Sequence, residues 1–390
     1  MKNIVICCDG TGNEVEANLS NVLKLYRVLE QDASQVVFYD PGVGTLSRTA
    51  PWSRLTANAR LVFGLATGNG LDENILNAYS FLVDTYEDGD KVFLFGFSRG
   101  AYTVRALAGF LHLVGLVAPS QKNLCGYALV AYKKAAADKD LTVAWRFQRV
   151  VRSRSIPIEF LGVWDTVSSV LVPRRDRFYI PSLQRLPYTA TNPSVKAMRH
   201  AIAIDERRRM FRLNQWNDSQ PYQPRRSDEP VEQDVRQVWF AGVHADVGGG
   251  YPETESQISK YPLQWMLDEA AKYGLDFSET MEGRVVRGEP ATNGRSYYVA
   301  PDALGPVHDS MTGLWPVLEY VPKLESHREW PHGAGESGFY LPRSEPRRIP
   351  EGALIHESAI RRVEASGYQP VNLPVEYTVE PPVADEGDSE

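Results

Sequence analysis

The apolar positions fall into short unbroken runs, each cut off by a polar or glycine-rich turn, and these runs alternate with stretches of helical period. Ile4–Cys8 is the first run. It stops in Asp9-Gly10-Thr11-Gly12-Asn13 and reads as a strand buried on both faces of a parallel sheet. Asn21–Leu29 follows as a helix and Val36–Tyr39 as a second strand. Small polar residues, Gly and Pro dominate 41–70, and Asp72–Tyr86 then sets Ile75, Tyr79, Leu82 and Val83 on one helical face. Val92–Gly96 predicts a strand that gives way, after one sharp turn, to a helix from about Gly100 to Val117. Two further strands are expected: Ile158–Val163, running into Trp164-Asp165-Thr166, and Val235–Val243, running into His244-Ala245-Asp246-Val247-Gly248-Gly249-Gly250.

Strands alternating with helices predict the α/β class, with a mostly parallel central sheet flanked by helices. Four of the expected strands, Ile4–Cys8, Val92–Gly96, Ile158–Val163 and Val235–Val243, carry polar chemistry just past their C-terminal ends, the edge where open parallel sheets bind ligands. The stretches 118–157, mainly helical, and 168–234, rich in Arg and Pro with a helix expected near Ser194–Ile204, exceed ordinary connections and suggest a cap over that edge. His200 is read as following a basic helical run. A single domain over 1–378 is expected, followed by an acidic, disordered tail at 379–390 that holds two prolines and no aromatic residue.

With 390 residues, 43% of them hydrophobic, the chain can bury a full core and is not a disordered polymer. Its 42 Lys and Arg against 49 Asp and Glu leave a formal charge of −7, without the broad basic field of a nucleic-acid binder, so no nucleic-acid partner is expected. The three cysteines, Cys7, Cys8 and Cys125, form no C-x-x-C, which fits a reducing compartment without structural zinc or disulfides. The apolar run ending at Asp9 is too short for a secretory signal core, so a cytoplasmic location is expected. Ala106–Pro119 contains His112 and falls short of the roughly 20 residues that span a bilayer.

Gly96-Phe97-Ser98-Arg99-Gly100 is a G-x-S-x-G sequence placed after a strand and opening a helix, the context of a nucleophile elbow. A serine displayed on so tight a turn needs flanking positions without bulk, and the two glycines supply that. The Arg99 N–H, at the helix start, can face a developing oxyanion. No phosphate-binding G-x-x-x-x-G-K-[ST] occurs at this turn, which removes nucleotide phosphoryl transfer. Serine attacks only when a base takes its proton and an acid fixes that base, so the rest of the chain must supply His and Asp. In the order Ser, Asp, His the leading pair is Asp165 with His244, and Asp246 with His308 competes. Asp9, His244 and Asp246 lack the further ligands of a metal centre, so neither metal nor other cofactor is expected.

Five blocks resemble one known family: Cys8-Asp9-Gly10-Thr11-Gly12-Asn13, Gly96-Phe97-Ser98-Arg99-Gly100-Ala101-Tyr102, Gly162-Val163-Trp164-Asp165-Thr166-Val167, Ala203-Ile204-Asp205-Glu206-Arg207-Arg208, and Trp239 through Tyr251. The chain resembles the domain-of-unknown-function family 2235, an α/β-hydrolase family that includes the catalytic domain of bacterial type VI secretion phospholipase effectors. The blocks keep the family order over roughly residues 1–315. The resemblance implies Ser98 as nucleophile, Asp165 as acid and His244 as base. It also implies Gly10 or Thr11 as the second oxyanion donor and Asp9 as a brace for that loop, with His308 and Asp309 in a supporting part. It makes an ester or phospholipid the substrate, with transient contact at a membrane surface and a signal-independent secretion route. A carboxylesterase for small soluble esters and a non-catalytic interaction module are the alternatives.

Overall fold

The computed structural model describes residues 1–10, 18–42, 70–167, 171–173, 181–183, 186–225, 227–313, 315–324, 328–330 and 338–380. Among these, eight parallel strands make one sheet: β1 (Asn3–Cys8), β2 (Gln35–Asp40), β3 (Lys91–Phe97), β4 (Ile158–Trp164), β5 (Val195–Ala203), β6 (Asp234–Phe240), β7 (Ala353–His356) and β8 (Tyr377–Glu380). Their spatial order is β8-β7-β6-β5-β4-β3-β1-β2. The expected parallel sheet between helices is therefore what the chain forms. Its order reverses between β1 and β3, because β1 is followed outward by β2 while β3 returns to its other side. In open sheets of this kind, the carboxyl ends of the strands beside such a reversal are the usual ligand position.

Both faces of the sheet are covered, which explains the unbroken apolar runs. Ile4, Ile6, Leu94, Leu161, Val163 and Met198 pack on one face against α2 (Leu71–Thr85), α3 (Arg99–Val114), α4 (Cys125–Asp138) and α5 (Thr142–Val151). The alternate residues, Val5, Cys7, Phe93, Phe95, Phe160 and Phe240, pack on the other against α1 (Asn21–Val28), α7 (Lys260–Ala271) and α8 (Glu279–Val285). The helices of 118–157, expected as a cap, thus belong to the flank of the sheet and shield α3. That helix ends at Val114, three residues early, because Gly115 takes a left-handed φ of 76°.

Further expectations change. Ser194–Ile204 is strand β5, not helix, and His200 lies buried within it. Lys, Ala, Met and Arg favour a helix, but this segment fills the slot between β4 and β6, where eight of its nine residues are buried. Arg199 is tolerated there because Glu269 and Asp234 pair with it at 2.5 and 2.7 Å. Finally, Val379 and Glu380 belong to β8 rather than to a disordered tail, and α9 (Glu357–Ser366) links β7 to β8. Residues 381–390 lie outside the described residues.

Candidate active site

Register brings the chemistry to one edge. Cys8 pairs with Gly96, Phe97 with Trp164, Trp164 with Ala201, and Ala203 with Phe240, so the strands stop nearly level. Asp9, Ser98, Asp165, Glu206 and His244 all follow within a few residues. Ser98 has φ 57° and ψ −118°, a left-handed backbone that a side chain seldom adopts. Its N–H donates to the Trp164 carbonyl at 3.2 Å and its own carbonyl accepts from Tyr102 N at 3.3 Å, so the strained turn is tied on both sides. The flanking glycines are sterically required. A Cβ at Gly96 would stand 2.5 Å from the Gly100 carbonyl oxygen, and one at Gly100 would stand 2.0 Å from that of Cys8. Arg99 is the first residue of α3, at the positive end of the helix dipole.

The expected acid and base meet at the neighbouring strand ends. Asp165, itself at φ 40°, is fully buried, and its Oδ2 lies 2.5 Å from His244 Nδ1. Burial alone would raise its pKa, but the Arg347 guanidinium and His244 outweigh that and hold the carboxyl well below the usual carboxylate range. An ionised carboxylate only accepts hydrogen bonds, so Nδ1 carries the imidazole proton and Nε2 presents a lone pair. His244 starts the short helix α6 (His244–Gly248), and its ring stands between Phe97, at 4.6 Å between centroids, and Phe211, at 4.8 Å. Burial lowers its proton affinity below that of an ordinary histidine, against the opposing pull of Asp165. Nε2 is buried and, among the described residues, has no hydrogen-bond partner, so Ser98 Oγ and Nε2 are not bonded in this conformation. Serine–histidine contacts often tighten only when substrate is bound.

The competing pair also forms. His308 Nδ1 lies 2.6 Å from Asp246 Oδ1, and its Nε2 lies 3.1 Å from Glu255 Oε2, so both nitrogens are taken by carboxylates. Tyr251 stacks on the ring with centroids 3.5 Å apart. Asp246 also accepts from the N–H groups of Val243 and His308, which clips the 308 loop to the turn before His244. Asp9 accepts from Ser20 Oγ at 2.5 Å and Tyr39 Oη at 2.9 Å, bracing the turn after β1. The Gly10 N–H, expected at the oxyanion, instead donates to Asp9 Oδ1 at 2.7 Å, because the carboxylate folds back over its own turn. Thr11 lies outside the described residues. Among those described, no cluster of His, Cys, Asp or Glu could hold a metal, and no helix is long and apolar enough to cross a membrane.

Three contributors were not singled out from the sequence. Glu206 accepts from His244 N at 3.2 Å and from Ser310 Oγ at 3.1 Å, and forks with Arg208. It sits in the Ala203–Arg208 block, which was a signal without a role. Phe211 forms a wall of the imidazole and is itself packed by Trp315 at 5.5 Å. Arg347, from an irregular Pro-rich stretch, grips Asp165 with no motif to announce it.

Residues 2–269 match a family described as the type VI secretion (T6SS) phospholipase effector Tle1-like catalytic domain. An uncharacterized protein of Saccharomyces cerevisiae is 26% identical, covering 71% of this chain and 58% of its own length. Two solved structures are also similar. One is an uncharacterized protein from Pseudomonas aeruginosa, 20% identical with TM-score 0.40, covering 72% of this chain and 48% of that one. The other is the Tle1 effector bound to the VgrG spike of the type 6 secretion system, 19% identical with TM-score 0.35, covering 66% and 52%. The chain thus spans between about half and three fifths of the length of these relatives. With the match extending over more than half of its residues, the chain belongs to the family of Tle1-like phospholipase effector catalytic domains.

Proposed function

We propose that the chain is a serine hydrolase of carboxylic esters, acting on phospholipid acyl groups through an acyl-enzyme on Ser98. The observation that carries this reading is the His244 imidazole, held by Asp165 through Nδ1 and bare at Nε2, whose ring contacts the residue preceding the strained serine. In the proposed reaction Ser98 Oγ attacks the carbonyl carbon while Nε2 takes its proton. The oxyanion is met by the Arg99 N–H and by an amide of the loop after β1. As the tetrahedral intermediate collapses, the imidazolium returns the proton to the departing alcohol. Water, deprotonated by Nε2, then attacks the acyl-serine and releases the fatty acid. Asp165 stays ionised throughout and stabilises the transient imidazolium.

A lipid substrate is supported by the family and by the apolar walls, Phe97 and Phe211, around the base. Beyond Phe211, Trp315 leads into exposed Val317, Tyr320 and Val321, which suit transient contact with a membrane surface. Signal-independent secretion follows from the family as part of the same proposal. The test is fatty-acid release from phosphatidylglycerol–phosphatidylethanolamine vesicles beside p-nitrophenyl butyrate hydrolysis, for wild type and Ser98→Ala. Vesicle hydrolysis lost in the variant is expected. Turnover of the soluble ester alone would make the protein a carboxylesterase. No turnover of either would favour the non-catalytic module, for which the unmade Ser98–His244 bond is the supporting observation.

A further inference from the structure

We propose that Arg347 is a positioning residue of this site: its guanidinium, forked across both oxygens of Asp165, fixes the orientation and charge of the carboxylate that holds His244. The inference rests on the serine-hydrolase reading and adds to it a cation from a part of the chain outside the matched residues 2–269. Arg347 Nη1 lies 2.5 Å from Asp165 Oδ1, and Nη2 lies 3.0 Å from Oδ2. The same two nitrogens donate to the carbonyls of Ala203, at 3.1 Å, and Phe211, at 2.6 Å. One side chain therefore joins the acid, the end of β5 and the wall residue of the imidazole. Its own backbone is clipped in place, because Asn372 Nδ2 donates to the carbonyls of Arg347 and Ile204 at 3.0 and 3.1 Å.

The arrangement uses what only arginine offers. A planar fork matches a carboxylate at two points, a geometry that the single ammonium of a lysine does not reproduce. With Ala203 N donating to Oδ1 at 3.0 Å and His244 to Oδ2, the carboxylate has no freedom left to rotate. The fork also has an electrostatic consequence. A fixed positive charge behind Asp165 makes a second one, the imidazolium in front of it, harder to form. The Asp165–His244 pair consequently takes up its inactivating proton at a lower pH than a pair without the arginine. The other charged or titratable groups around the pair are Glu206, Arg208, His200, Arg105 and Glu329, and these are unchanged when residue 347 alone is substituted.

The experiment follows the pseudo-first-order rate constant of fluorophosphonate labelling from pH 4 to 9 for wild type, Arg347→Met and Arg347→Lys, with Ser98→Ala as control. The rate constant reports folded molecules only, so partial folding lowers the amplitude and leaves the profile intact. In Arg347→Met the acidic limb should move up by about one pH unit and the plateau should fall roughly tenfold. Arg347→Lys keeps the charge and should keep the wild-type limb, with a plateau lowered several-fold because the fork is lost. Should Arg347→Met yield no folded protein, Arg347→Gln, which retains donors for the two carbonyls, is read in the same way. A wild-type limb in the neutral variant, or an equal shift in the lysine variant, overturns the proposal while leaving the hydrolase reading in place. Undiminished labelling of Ser98→Ala overturns the hydrolase reading itself.

Discussion

Beside the candidate serine α3 approaches the backbone at the end of β1 closely, and Gly100→Ala tests that contact. The added Cβ would lie 2.0 Å from the Cys8 carbonyl oxygen, 2.5 Å from its carbon and 2.6 Å from the Asp9 carbonyl oxygen, where ordinary contact begins near 3.4 Å. The start of α3 must therefore retreat by about 1.4 Å, the difference between the ordinary contact and the first of these distances. All three atoms are backbone of a strand end paired on both sides, so the helix yields rather than the sheet. Overpacking of this kind costs about 1–3 kcal/mol, readable as a lower denaturant midpoint. Ser98 precedes α3 directly and moves with it, and a displacement of about 1 Å in a reacting group lowers rates roughly a hundredfold. Gly126→Ala is the control. It lies in α4, its Cβ would meet nothing within 4 Å, and it should raise stability by about 0.4–1 kcal/mol with unchanged labelling. A Gly100→Ala protein with the wild-type midpoint and labelling rate would refute the argument that this glycine sets the serine's position.

The two histidine–aspartate pairs should separate cleanly by substitution. His244→Ala should reduce ester turnover by several orders of magnitude, as loss of a triad base does, whereas His308→Ala should reduce it less than about tenfold by loosening a loop; the reverse ranking would move the base to His308. Because burial lowers the proton affinity of His244 and the proposed mechanism requires the neutral ring, kcat/KM should rise with pH along a limb centred below about 6.5 and be flat at neutrality. A limb centred above 7 would contradict this. Stability should also fall as pH drops from about 6.5 toward 4. Burial depresses His356 and His200 to about 3 in the fold, so the unfolded chain takes up protons that the folded one refuses. His356→Asn keeps an acceptor for Ser358 N and should flatten that fall by up to about 1.4 kcal/mol per pH unit, measured by urea titrations at stepped pH.

What the sequence discloses depends on how local the signal is. β1, β3, β4 and β6 are apolar runs ended by polar turns, and burial on both sheet faces demands such runs, so they are legible without neighbours. β5 is not, because its Lys, Ala, Met and Arg favour a helix and only the slot between β4 and β6 makes it a strand. β7 and β8, four residues each in a Pro-rich stretch, are too short to show a period. The site divides in the same way. Ser98, Asp165 and His244 each sit within a compact turn block that announces itself. Arg347 meets Asp165 across 182 residues of chain, and nothing in Glu345-Pro346-Arg347-Arg348 marks one arginine as buried and the other not. Gly10 shows the remaining limit: which way an amide points in a turn is decided by the carboxylate beside it, a matter of atoms and not of motif.

Peptide mapping by mass spectrometry after treatment with a fluorophosphonate asks the central question directly, since only a hydroxyl served by a base in a shaped site reacts quickly with it. The account predicts one adduct, on the peptide containing Ser98, absent from Ser98→Ala and slowed by orders of magnitude in His244→Ala. An unmodified serine at 98 in folded wild-type protein, or a stoichiometric adduct on another residue, would contradict it.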